Sequence, residues 1–282
     1  MKFENTEVFN FEGALRGMRN PLNSWSKSDS IFDIYCEHED YGSECVDVVA
    51  DKWAEYMLKD QPYEEEIDYD KEFAKIAEEK REWLWRQGAS FIGTDHHYKL
   101  DLIGPADMDL CRRLIKGGSE HRKFLRQIIV SVDITAPLYW WKEFDTYKVG
   151  TTANSTSTMH KLASTPITLD CFEMDDFEDC IIESREILDT TIFKYTAGDF
   201  AKELIESLEV LRQKYNETKD KRYWKELIRL LPNGWLQTRT ITMNYENLRS
   251  MAHQRMGHKL SEWHSFLEWV ETLPYSKELI ID

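Results

Sequence analysis

The segment Leu231-Pro-Asn-Gly-Trp-Leu-Gln-Thr-Arg-Thr-Ile-Thr-Met-Asn-Tyr-Glu-Asn-Leu-Arg-Ser-Met-Ala-His-Gln-Arg255 concentrates residue types that can do chemistry. Its order predicts a helix stop, a short strand and a helix entered at Asn244, where Asn is a good N-cap. Arg249 and His253 then share a helix face, with Arg255 a few residues on. A cation there can stabilise negative charge that develops on a bound molecule. A second stretch, Val149-Gly-Thr-Thr-Ala-Asn-Ser-Thr-Ser-Thr158, is too polar for a core and too free of charge for a linker. It suits binding through hydroxyl and backbone groups. A third, Arg16 to Ser30, reads as a loop rich in Ser, Asn and Gly, locally basic through Arg16, Arg19 and Lys27. It is either a solvated surface or a phosphate-binding loop.

Other chemistries are disfavoured. The sequence has no G-x-G-x-x-G, no G-x-x-x-x-G-K-[ST] and no G-x-S-x-G. His96-His97 after Asp95, and His253, His258 and His264, invite a metal reading, but the last three lack i, i+4 spacing, and no metal is expected. Cys36, Cys45, Cys111, Cys171 and Cys180 are odd in number and contain no C-x-x-C, so reduced thiols are expected. No Ser–His pairing supports Ser157 as a nucleophile; it would bind a ligand.

The positioning elements follow from periodicity. Helices are expected over 47–57, 69–86, 107–116, 138–144, 177–188, 199–215, 223–231, 245–254 and 260–273. Strands are expected over 124–134, broken by Ala136-Pro137, and over 238–243. Residues 90–93 could be a strand or turn, and Glu64 to Glu66 a solvated charge run. Tyr139-Trp140-Trp141 reads as core more readily than as interface.

The chain has 282 residues, 41% hydrophobic and 13% aromatic, so it can bury a sizeable core. Lys and Arg total 36 against 52 Asp and Glu, a net charge of −16. That argues against a nucleic-acid polymer as partner. It leaves room for a compact cationic pocket. No apolar run is long enough to span a membrane, and the acidic start lacks the pattern of a signal peptide, so a cytoplasmic protein is expected. With no internal repeat or linker, one domain over 1–282 is the simplest reading, with an elaborated region at about 1–118 and a helical segment at about 165–230.

Three segments together resemble the flavin-dependent thymidylate synthases. The pattern L-P-x9-T-x-N-x10-R is met by Leu231, Pro232, Thr242, Asn244 and Arg255, with His258 close behind. Glu120-His121-x-x-Phe124 followed by Ala136-Pro137 is similar to the family's E-H-x-x-F segment and A-P turn, with about six extra residues between them. The second half of R-H-R-x-x-S-x-N-x-x-S-x-R is matched by Thr152 for the first Ser, Asn154 and Ser157. Tyr147, Lys148 and Val149 stand in place of R-H-R, Met159 in place of the last Arg, and His160 where the family has Tyr. The resemblance covers roughly residues 119–270.

What the resemblance implies is an α/β (α+β) fold, a twisted, mostly antiparallel sheet flanked by helices, assembled as a homotetramer with shared active sites. It implies a methyltransferase converting dUMP to dTMP with FAD, and with NADPH and methylenetetrahydrofolate as co-substrates. Related C5 chemistry such as hydroxymethylation, and a non-catalytic nucleotide- or partner-binding relative, are the alternatives. Arg255 is the implied catalytic residue, also contacting the pyrimidine. Thr152, Asn154, Lys148, Asn244, His258 and His121 would bind the cofactor. Ser155, Ser157, Arg229, Arg239 and His160 would bind substrate. Since Met cannot replace an arginine fork, the phosphate needs other cations: Lys148, Lys161, Arg229, Arg239 or the loop with Arg16 and Arg19.

Overall fold

The computed structural model describes residues 1–37, 47, 50–51, 53–55, 58, 68–86, 97–174, 180–188 and 191–282. It is an α+β structure, as expected, and the chain divides into two compact units. The first comprises residues 1–7, 131–243 and 260–262; the second comprises 8–130, 244–259 and 263–282.

A four-stranded sheet anchors the first unit, in the order β1 (Lys2–Phe9), β4 (Ile129–Pro137), β8 (Leu236–Asn244), β5 (Thr152–Ser155). β4 alternates strictly. Val132, Ile134 and Ala136 are fully buried, while Ser131, Asp133 and Thr135 point to the other face. Helix α4 (Leu138–Phe144) starts directly after Pro137 and buries Trp140 and Trp141 completely, so the aromatic cluster is core. The Trp141 indole donates to the Gln237 carbonyl at 2.9 Å. A second core lies under α6 (Ala197–Thr218) and α7 (Lys221–Leu230), where Leu208 and Leu227 pack with Leu162, Ile167 and Phe172.

In the second unit, α1 (Phe11–Arg19), α2 (Tyr69–Arg86), α3 (Pro105–Lys116), α8 (Tyr245–Arg255) and α9 (Ser261–Glu271) accompany a hairpin-like pair, β2 (Ile31–Glu37) and β3 (His97–Leu102). α9 begins in the first unit and belongs mostly to the second. Phe11 packs edge-on against Tyr245 and Tyr275, each with ring centroids 5.7 Å away. Among the described residues no helix is long and apolar enough to cross a membrane, and no cluster of three or more His, Cys, Asp or Glu could hold a metal.

Three expectations are corrected. Residues 181–188 form strand β6, paired antiparallel with β7 (Thr191–Thr196), rather than a helix over 177–188. β-branched Ile181 and Ile182 face a partner reading TIFKYT, which satisfies a pleated ladder better than a helix face. Residues 122–127 are a 3-10 helix, and the strand begins at Ile129 and runs through Ala136-Pro137. Pro137 sits at the strand's end, where its missing N–H costs nothing. Arg16 to Arg19 end α1, and the following residues form two 3-10 turns, Asn20–Leu22 and Trp25–Lys27, instead of an open loop. Cys45, Glu64 to Glu66, residues 90–93, Asp95 and His96 lie outside the described residues.

Candidate functional site

In the first unit, β5 runs antiparallel to β8 with Thr152 opposite Thr242 and Asn154 opposite Thr240. Directly opposed residues point to the same face. On that face Asp133 of β4 accepts from the Thr240 hydroxyl at 2.5 Å and from the Asn5 amide at 2.8 Å. These two hydrogen bonds hold the Asp133 carboxyl below its ordinary pKa. Thr135 and Thr238 join at 2.7 Å on the same face. A polar stripe therefore crosses all four strands, from Asn5 to Asn154. β5 is entirely exposed and forms the edge of the sheet.

Ser155 and Arg239 oppose each other on the opposite face. Arg239 is held there by an ion pair with Asp145 at 2.7 Å, a bond to Gln237 at 3.0 Å and stacking 4.2 Å over Trp141. Its charge is met inside the unit. Ser157 caps the one-turn helix α5 (Thr158–Lys161), accepting from the His160 N–H at 3.2 Å. Lys148 and His160 are exposed, and Arg229 pairs on the surface with Glu226 of its own helix at 2.7 Å.

In the second unit, Asn244 and Asn247 form a capping box at the start of α8, with the Asn247 N–H donating to Asn244 Oδ1 at 2.9 Å. Arg249 is buried and donates to the Ile280 carbonyl at 2.9 Å; burial lowers its pKa and, with the Arg249 charge, that of His253. Arg255 and His258 come together in the structure. The Arg255 guanidinium stacks 4.5 Å over the Trp263 ring and lies 3.0 Å from His258 Nε2. Donation from Arg255 assigns the His258 proton to Nδ1. Gly257, at φ 70°, makes the turn between them, a conformation that strains any side chain.

His121 lies in the same unit, in the wall of a cleft of about 790 Å3. The Asn20–Lys27 segment lines the same cleft, together with Arg113, His121 and Lys123. Arg113 and Lys123 pair at the surface with Asp109 and Glu120 of their own turns. The segment is built in by a buried network that sequence reading missed. Arg19 donates to Asp107 at 2.6 Å and to the Ser24 carbonyl at 3.3 Å, while the Ser28 and Ser30 hydroxyls donate to the same Asp107 carboxylate. Asp29 then caps α3 from outside, accepting from the Ala106 and Asp107 N–H groups at 2.6 and 2.9 Å. Gly104 is required, because a Cβ there would lie 2.3 Å from Asp29. Gly104-Pro105 at the start of α3 was the signal for a helix start needing such a cap.

No family model matches the chain, and no curated protein matches it. Solved structures do. Flavin-dependent thymidylate synthase ThyX from Helicobacter pylori, complexed with FAD and dUMP, is similar at 14% identity and TM-score 0.44 over 89% of this chain and 97% of that one. A second ThyX structure from that organism, also with FAD and dUMP, matches at 14% and 0.44 over 90% and 96%. The UMP/dUMP methylase PolB from Streptomyces cacaoi, bound with 5-Br UMP, matches at 14% and 0.37 over 51% and 63%.

Proposed function

We propose that the chain modifies C5 of a pyrimidine deoxynucleotide with bound FAD, converting dUMP to dTMP with methylenetetrahydrofolate as one-carbon donor and NADPH as reductant. The observation that carries this reading is the register of β5 against β8. Two segments of the resemblance, far apart in sequence, lie on neighbouring strands with Thr152 opposite Thr242, and Thr240 ties Asn154's row to Asp133. Composition alone could not have arranged that.

FAD fits the second unit's cleft by size and donor set: ligand pockets span roughly 300–1,000 Å3, and Lys27, Arg113 and Lys123 suit its phosphates. When bound, FAD supplies the hydride chemistry. The chain's own residues bind and polarise. Arg255, its plane set by Trp263 and by His258 as acceptor, offsets negative charge developing on the pyrimidine. Thr152 and Asn154 offer hydroxyl and amide groups for orientation. Val149 and Met159 are exposed where the resemblance has arginines, which favours a second reading, a nucleotide-binding relative without turnover.

An absorbance spectrum of the purified protein with and without FAD tests the reading. A bound-flavin spectrum, NADPH oxidation, and dTMP by mass spectrometry support it, with Arg255→Ala still binding flavin but not turning over. Flavin binding without NADPH oxidation favours the second reading. Hydroxymethylated product, or preference for dCMP, moves the reaction but keeps the scaffold. No flavin bound at micromolar concentrations overturns the proposal.

A further inference from the structure

Lys80 of α2 is only 8% exposed, yet it lines a cavity of about 320 Å3 in the second unit. Its Nζ lies 4.3 Å from the centroid of the Trp53 ring and 5.8 Å from that of Tyr275. Ile103, Pro105 and Met108 complete an apolar wall. Tyr275 cannot serve as an acid or base. Its hydroxyl donates to the Asp101 carbonyl at 3.1 Å and accepts from the Ile103 N–H at 3.0 Å, and burial pushes its pKa up. The titratable groups lining the cavity with Lys80 are Glu79 on its own helix, Glu278 on the C-terminal segment, and Tyr275.

Aromatic faces and an apolar wall desolvate the Lys80 amine, and a cavity opens beside it. Its value lies in the amine. We propose that Lys80 is a nucleophilic amine that forms an imine with an uncharged aldehyde bound in this cavity. Nζ adds to the carbonyl carbon, forming the C–N bond, and the carbonyl electron pair goes to oxygen. The two protons of the amine nitrogen pass in turn through Glu79 or Glu278 to that oxygen, the first giving the carbinolamine hydroxyl and the second letting it leave as water when the C–O bond breaks. Aldehyde and amine give imine and water with no change of oxidation state. The two carboxylates exclude anionic ligands, and the Trp53 and Tyr275 faces accept a flat apolar body.

Burial lowers the Lys80 pKa to about 8, although the Glu278 charge opposes this. The free amine is therefore a usable fraction near neutrality, where an ordinary lysine at about 10.4 is almost wholly protonated. The site is independent of the flavin reading and of every residue invoked there.

The test uses the whole protein with benzaldehyde and sodium cyanoborohydride, which traps an imine as a stable benzylamine, followed by peptide mapping from pH 6 to pH 10. Lys80 should label first at pH 7, its rate rising about tenfold per pH unit up to near pH 8 and then levelling. Exposed lysines with the ordinary value of about 10.4 should keep rising to higher pH. Lys80→Arg should remove that adduct while keeping the charge and the far-UV circular dichroism. Equal labelling of exposed lysines at pH 7, or an unlabelled Lys80, overturns the proposal. Mapping the wild-type chain decides this even if a variant fails to fold.

Discussion

Two segments of similar composition met different fates. Residues 152–157 read Thr-Ala-Asn-Ser-Thr-Ser and residues 20–27 read Asn-Pro-Leu-Asn-Ser-Trp-Ser-Lys. Residues 152–155 of the first became an exposed edge strand whose backbone groups on one side are spent on β8. The second was bent into turns by Arg19, Asp107 and Asp29, and lines a cleft together with Arg113, His121 and Lys123. Hydroxyl-rich composition supplies donors and acceptors in both. The second lines a cleft; for the first, the homotetramer implied by the resemblance would supply an enclosing surface.

Removing the device that bends the second segment should have the largest effect. Asp107→Ala leaves Arg19 buried without its carboxylate and should cost about 3–5 kcal/mol in urea denaturation, with the cleft's affinity for FAD lost. An unchanged midpoint would mean that the segment is not held by this pair. Next comes Lys27→Glu, which should leave stability within about 0.5 kcal/mol and weaken FAD by at least about tenfold in a fluorescence titration, the worth of one charged hydrogen bond. Equal affinity would place the flavin phosphates elsewhere.

A smaller effect separates the units by pH. Arg212, binding Glu209 through two nitrogens, holds the Glu209 carboxyl down to about 2, and Glu209 also accepts from the Ile167 N–H at 2.8 Å. The folded pKa is below the unfolded value, so this stability is complete above about pH 4.5 and is lost as pH falls through about 2. Glu209→Gln should flatten that loss, on the order of 1–2 kcal/mol, in thermal melts from pH 5 to pH 2. A wild-type slope in the variant would contradict it. Smallest of all, Asn154→Ala on the exposed edge should shift stability by less than about 0.5 kcal/mol. Its effect on FAD or dUMP affinity should appear only at concentrations where light scattering finds an oligomer. A comparable loss in the monomer would erase the contrast between the segments.

Local pattern made much of the fold legible. α2 and α4 lie where periodicity placed them, because their apolar residues recur at helical spacing. Asn244 was readable as a cap because its side chain acts on backbone only three residues away. β6 was not readable: its Ile, Glu and Arg suit either period, and the pairing with β7 decided it. Arg239 and Arg255 look alike in sequence, both candidate cations. Asp145 meets the charge of one, while the other sits between Trp263 and an imidazole.

By itself the sequence determined most helices, the wealth of hydroxyl groups in residues 149–158 and a net charge of −16, while the α+β class entered through the resemblance. Those properties depend on residues within a turn or two of each other, or on totals. Tertiary structure alone decided that Thr152 faces Thr242, that Ser155 and Arg239 look the other way, that His121 and the Lys27 segment line one cleft, and that Lys80 is buried against two aromatic rings. Each depends on which distant partner a side chain meets. Register, burial and charge pairing are set by the cheapest way to satisfy the whole core, and no local window contains that comparison.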